Sequence, residues 1–86
     1  MAYVSIFFGI VIRMFYREHN PPHFHAEYQG MEGEFDFNGN MLKGNVKSRT
    51  AKQLIQRWAQ LHKEELMLNW LNIERKQNLH KIEPLD

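Results

Sequence analysis

From residue 10 to residue 16 apolar side chains occupy both alternating sets of positions. Ile10, Ile12, Met14 and Tyr16 fall on one face, and Val11, Arg13 and Phe15 on the other. A strand with two largely apolar faces is central in a sheet or covered on both sides. Pro21 and Pro22 end it, because consecutive prolines donate no ladder hydrogen bonds and force an extended chain. Alternation resumes over residues 23–28, with Phe24, Ala26 and Tyr28 facing one way and His23, His25 and Glu27 the other. After a turn at Gln29-Gly30, residues 32–37 place Phe35 and Phe37 on one face and Glu34 and Asp36 on the opposite one.

The register of this hairpin follows from the turn. A two-residue loop at Gln29-Gly30 pairs Tyr28 with Met31 and sets Phe24 opposite Phe35, His25 opposite Glu34 and His23 opposite Asp36. A four-residue turn would move the partners by two and keep every side chain on its face, since side-chain period is two. Asn38-Gly39 is the strongest hairpin signal in the chain and predicts a type I′ turn. The next strand, residues 41–46, then has Leu42 opposite Phe35 and Lys43 opposite Glu34.

From residue 48 the period changes. Ser48 or Thr50 can cap a helix, and Thr50 with Gln53 would form a capping box. Ala51, Leu54, Ile55, Trp58 and Leu61 follow as one helical stripe. Residues 63–76 are helical by propensity, but Leu66, Met67, Leu68, Trp70, Leu71 and Ile73 wrap most of the circumference. Such a helix is buried on several sides or lies in an interface, which marks Leu68 and Leu71 as binding candidates. It either continues the first helix or follows a kink near His62. The tail, LHKIEPL, is too short for its pattern to decide between loop and an edge strand before Pro84.

The sum is a single α+β domain: β-rich over 1–47, helical over 48–77, with a short tail at 78–86. Its architecture is a mainly antiparallel meander of about four strands with one long or two consecutive helices on one face. Eighty-six residues supply one small core, burying roughly 60–65% of the unfolded surface. There is no cysteine to brace it, which excludes disulfide scaffolds, thiolate metal sites and thiol nucleophiles. Association is the remaining support for so small a core, so a homodimer or a protein partner is expected. Eleven basic and ten acidic residues leave a formal charge of +1, too little to hold nucleic acid by net charge alone. The apolar run at the N-terminus, AYVSIFFGIVI, is shorter than the about 20 residues that span a bilayer. It also lacks the basic leader and cleavage site of a signal peptide, so a cytoplasmic protein with no membrane role is expected.

Candidate chemistry gathers in HNPPHFHAEY, residues 19–28, which holds three of the five histidines. His23 and His25 alternate onto one face of a strand, so both imidazoles can reach one ion, and His19 is a short loop away. Glu34 or Asp36 could add a carboxylate ligand or orient a ring nitrogen. Such nitrogen and oxygen donors suit zinc, manganese or iron(II), though no cofactor is required by the pattern. A histidine facing a carboxylate is also how a general acid or base is prepared, which makes His23, His25, Glu34 and Asp36 catalytic candidates, with Arg13 nearby. The motif offers no serine or threonine nucleophile, so a metal-free hydrolase would draw on a hydroxyl of its substrate, as in RNA. The plain alternative is a Pro-Pro turn followed by a cross-strand polar pairing on a solvated face. Arg17, Lys47 and Arg49 are candidate phosphate or RNA contacts, the last two where a strand meets a helix start.

The stretch GIVIRMFYREHNPPHFHAEYQG resembles the small bacterial and archaeal proteins of the domain of unknown function 4160 family. The resemblance continues through WAQLHKEELMLNW and KIEPL. His19, Asn20, Pro21, Pro22, His23 and His25 match that family's motif. The resemblance implies a small α+β domain encoded beside a short protein of another family, domain of unknown function 2442. That protein is the cognate partner expected in a type II toxin–antitoxin pair. The resemblance brings no catalytic assignment to these residues. Two classes of function stay open: a toxin-like component held by a cognate partner, which could act on RNA through the histidine/acid face and nearby arginines, or a non-enzymatic protein-binding or regulatory module whose apolar second helix is an interface and whose histidines could hold a metal.

Overall fold

Each strand pairs with the one that follows it in the chain. The computed structural model describes residues 3–86; residues 1 and 2, the start of the expected β-rich segment, lie outside the described residues. Its elements are β1 (Tyr3–Phe7), β2 (Ile10–Arg13), β3 (Phe24–Tyr28), β4 (Met31–Phe35), β5 (Met41–Gly44), α1 (Arg49–Leu61) and α2 (Lys63–Glu74). The strands form one antiparallel sheet in sequence order.

The sheet therefore has five strands where the alternation predicts about four. The additional strand is β1, which Phe8-Gly9 turns directly into β2 with positive φ at both positions, +51° and +78°. Phenylalanine is a poor residue for the left-handed region, so the turn lacks the Asn or Asp that marks a type I′ loop in sequence. Gln29-Gly30 makes the same kind of turn, with φ of +49° and +78°. It sets the expected register: Tyr28 opposite Met31, His25 opposite Glu34, Phe24 opposite Phe35.

The Asn38-Gly39 turn differs from expectation. Only Gly39 of the pair has positive φ, so the loop is not type I′. Gly39 N–H instead donates to the Asp36 carbonyl at 2.9 Å, while Asp36 Oδ1 accepts from the N–H groups of Asn38 and Asn40 at 3.0 and 2.9 Å. The longer loop shifts the pairing between Glu34 and Phe35. Lys43 still faces Glu34, but Met41 and not Leu42 lies opposite Phe35, and Leu42 is exposed.

One face of the sheet is the core. Ile10, Ile12, Phe24, Ala26 and Phe35 are sealed from solvent, as are Ile55, Trp58 and Ala59 of α1. Phe24 is the hub: its ring stacks on Phe35 at 5.8 Å between centroids and meets the Trp58 ring edge-on at 5.5 Å. Ser48, rather than a Thr50/Gln53 box, caps α1, its Oγ accepting from Ala51 N–H at 3.1 Å. The helical half is two helices meeting at His62, whose N–H reaches back to Trp58 O and Ala59 O. Among the described residues no helix is long and apolar enough to cross a membrane.

The second helix is not buried all round. Leu66, Trp70 and Ile73 face inward, with Asn69 and Asn72, whereas Met67, Leu68 and Leu71 are exposed. Asn69 fastens the tail, its Nδ2 donating to His80 O and its Oδ1 accepting from His80 N–H, both at 2.9 Å. The tail adds no strand. It crosses the sheet edge with Ile82 N–H donating to Val4 O at 2.8 Å and is pinned where Trp58 Nε1 donates to Glu83 O at 2.9 Å.

Two backbone positions yield a stability prediction. Lys76 sits just past α2 at φ +58°, where Gln77 N–H donates to Asn72 O at 2.8 Å, the helix-ending geometry that glycine fills best. Gly39 has φ +89°, and a Cβ there would lie 2.4 Å from Gln56 Cα. Lys76→Gly is expected to raise stability by about 1 kcal/mol, and Gly39→Ala to lower it by about 2 kcal/mol or more. Thermal and denaturant unfolding of both variants checks the opposite signs.

Candidate metal centre

The loop between β2 and β3 folds back over the end of the sheet. Tyr16 anchors it, donating its O–H to Gln77 O at 2.6 Å, and Phe15 packs against the His25 ring at 4.8 Å between centroids, nearly edge-on. Pro22 and the strand start then deliver His23 and His25, while β4 brings Glu34 alongside. The same fold-back carries Glu18 onto the histidines: Glu18 Oε1 lies 2.6 Å from His25 Nε2, and Oε2 lies 3.3 Å from His23 Nε2. Glu34 Oε1 is 3.8 Å from His23 Nε2, and Glu32 Oε2 is 3.8 Å from His25 Nδ1.

His23 is the centre of the group. It is 2% exposed, and its ring contacts His19 and His25 at 5.3 Å each and Trp70 of α2 at 5.5 Å. Its Nδ1 lies 2.7 Å from the carbonyl oxygen of Pro21. A carbonyl can only accept, so Nδ1 carries the proton and Nε2 presents a lone pair in the neutral ring. That buried Nε2 has no hydrogen-bond partner, and the nearest polar atoms are carboxylate oxygens. Glu18 Oε2 and Glu34 Oε1 stand 3.3 and 3.8 Å from it. A cation seated at this nitrogen would meet both carboxylates as well as the ring lone pair.

Two overlapping three-ligand sets share His23: Glu18, His23 and His25, and His19, His23 and Glu34. In each, the candidate ligand atoms lie within 4.8 Å of one another. A carbonyl holding Nδ1–H while Nε2 faces the ion is the usual support for a metal-bound histidine. The two-histidine, one-carboxylate donor set suits zinc, manganese or iron(II).

His19, His23, His25 and Glu34 are thus brought together, and Arg13 borders them. Asp36 spends its carboxylate on the β4–β5 turn. Arg13 stands across the ladder from His25, with its Nε 2.9 Å from Glu27 Oε2. Arg17 lies in a groove of ≈ 510 Å³ lined also by Glu18, Trp70 and Lys76. Lys47 and Arg49 are exposed and follow β5, beyond the end of the sheet away from His23. Leu68 and Leu71 lie on the exposed side of α2. Glu18 is the residue that strand pairing alone overlooks, because it comes from the loop. Its adjacency to His19 and the reversal implied by Pro21-Pro22 were the available signals.

The family model described as Domain of unknown function (DUF4160) matches residues 9–71. The chain belongs to the DUF4160 family. The DUF4160 match runs from the β1–β2 turn to the last turn of α2 and includes every residue of the cluster. No curated protein and no solved structure matched the chain.

The hydrogen bond to Pro21 fixes a measurable tautomer. Long-range ¹H–¹⁵N correlation spectra are expected to show Nδ1 of His23 protonated across the neutral range. A ring protonated at Nε2 alone would contradict the geometry.

Proposed function

We propose that the protein is a divalent-cation-binding domain whose centre is Glu18, His23 and His25, with His19 and Glu34 at its margin. The observation that carries this reading is the buried, unpartnered Nε2 of His23, aimed at two carboxylates while Nδ1 is held by a carbonyl. His25 would contribute Nε2, and Glu18 the oxygen now against it. His19 is exposed, so the margin of the centre is open to water or a ligand. An open position on a two-histidine, one-carboxylate centre is the condition for activating water in hydrolysis.

The toxin–antitoxin expectation would draw on this same ion. RNA cleavage would need metal-activated water here and a phosphate-binding surface beside it. Of the expected basic residues, Arg17 adjoins Glu18, whereas Lys47 and Arg49 lie past the other end of the sheet and lend the RNA reading no support. Cation binding therefore stands as the reading the geometry favours, ahead of any particular substrate or cognate partner.

Zinc and manganese titrations of tag-free, chelator-treated protein, followed by calorimetry and thermal melting, test the proposal. One equivalent is expected to bind the wild type. Metal at a hundred times its dissociation constant should stabilise by about 2.7 kcal/mol, which raises the melting temperature by about 10–20 °C in a domain this size. His25→Ala and Glu18→Gln should each weaken binding by about tenfold or more while remaining folded. His23→Ala is less informative because it also opens a buried cavity. Wild-type protein that takes up neither ion at neutral pH would sink the reading.

A further inference from the structure

We propose that the exposed side of α2 is the interface of a two-fold symmetric homodimer of this chain. Met67, Leu68 and Leu71 are 43%, 50% and 37% exposed, although the same helix buries Leu66, Trp70 and Ile73 on its other side. Leu61, just before the helix, is more exposed still, and it lines one shallow depression with Glu64 and Met67. The apolar residues do not stand alone. Glu64, Leu68, Leu71 and Arg75 follow at steps of four, three and four, which places them in one narrow stripe along the helix. The stripe is acidic at its start, apolar in the middle and basic at its end.

That order is self-complementary. When two copies of α2 lie antiparallel about a two-fold axis midway between Leu68 and Leu71, Leu68 of each faces Leu71 of the other. The same axis places Glu64 of each opposite Arg75 of the other, because the two pairs are symmetric about one midpoint. Isologous contacts require a patch to match its own reverse, and a second copy of this chain supplies that match without any further condition. Glu64 and Arg75 are about 16 Å apart along the helix, so both ion pairs form at once, one at each end. Glu65 and Glu74 lie about 90° to either side of the stripe, and Glu65 is held by His62 Nδ1 at 2.5 Å. They therefore bring no like charges into the line of contact. The cores of the two chains stay outside the contact, since Trp70 turns inward to His23.

Charge reversal tests the pairing. Sedimentation velocity and light scattering should give a two-chain mass for the wild type and a one-chain mass for Leu68→Glu, Glu64→Arg and Arg75→Glu. The double variant E64R/R75E should dimerise again. An equimolar mixture of the two single charge variants should form a mixed dimer, because opposite charges then meet at both ends. Circular dichroism separates loss of dimer from loss of fold, and the substituted residues are exposed. A wild type that remains monomeric up to millimolar concentration overturns the proposal, as does a dimer indifferent to these reversals; a monomer whose stripe is covered by a different protein falls under the first outcome.

Discussion

The register of the β3–β4 hairpin is the constraint from which the rest of the molecule follows. Gln29 and Gly30 close a two-residue turn, so Phe24 must meet Phe35 and His25 must meet Glu34. One slip of a single residue would exchange the two faces and carry the imidazole into the core and the phenyl rings into solvent. Phe24 holds that register energetically, since it is enclosed by Phe35 and Trp58 and has no exposed surface to regain. The same pairing that builds the core therefore lines up the histidine and the carboxylates on the other side of the strands. Core and candidate site are two faces of one ladder.

How much of this was legible depended on the range of the interaction. The β3–β4 register, the segregated faces and the helical stripe of Ile55 and Trp58 all follow from period and turn chemistry, which are local. β1 was not legible because Phe8 occupies a left-handed turn position that rarely accepts it, so the apolar run looked uninterrupted by a reversal. Leu42 was misplaced for the opposite reason: Asn38-Gly39 carries a strong local signal, but Asp36 offers its carboxylate to two backbone N–H groups and selects a longer loop. The same choice withdraws Asp36 from the histidines. Glu18 was missed because its position is set by the return path of a loop, and alternation says nothing about loops.

The second helix shows a related limit. Its apolar residues wrap the circumference, and composition alone cannot separate a helix buried on all sides from one buried on one side with a second apolar face. The structure separates them through Asn69 and Asn72. Two buried amides on the inner side tell which face is enclosed, because Asn69 is satisfied by both backbone groups of His80 in the tail. The tail thereby becomes part of the core boundary, tied at Asn69, Trp58 and Val4 rather than paired as a strand. In a domain of this size such polar fastenings matter, since a single unmet buried amide would cost about 1–3 kcal/mol of a small total.

The cluster around His23 runs against that economy. Among the described residues, every other buried side-chain nitrogen or oxygen has a hydrogen-bond partner, Ser5 Oγ apart. At His23 the Pro21 carbonyl accepts a hydrogen bond from Nδ1–H, and the remaining nitrogen faces Glu18 and Glu34. Burial makes this costly, because low-dielectric surroundings strengthen repulsion among acceptors as much as attraction to a cation. A fold shaped only by stability could relieve the conflict with an apolar side chain at position 23, against Trp70 and below the loop. An imidazole oriented by a carbonyl and flanked by two histidines and two carboxylates is instead the arrangement that the proposed cation centre would require.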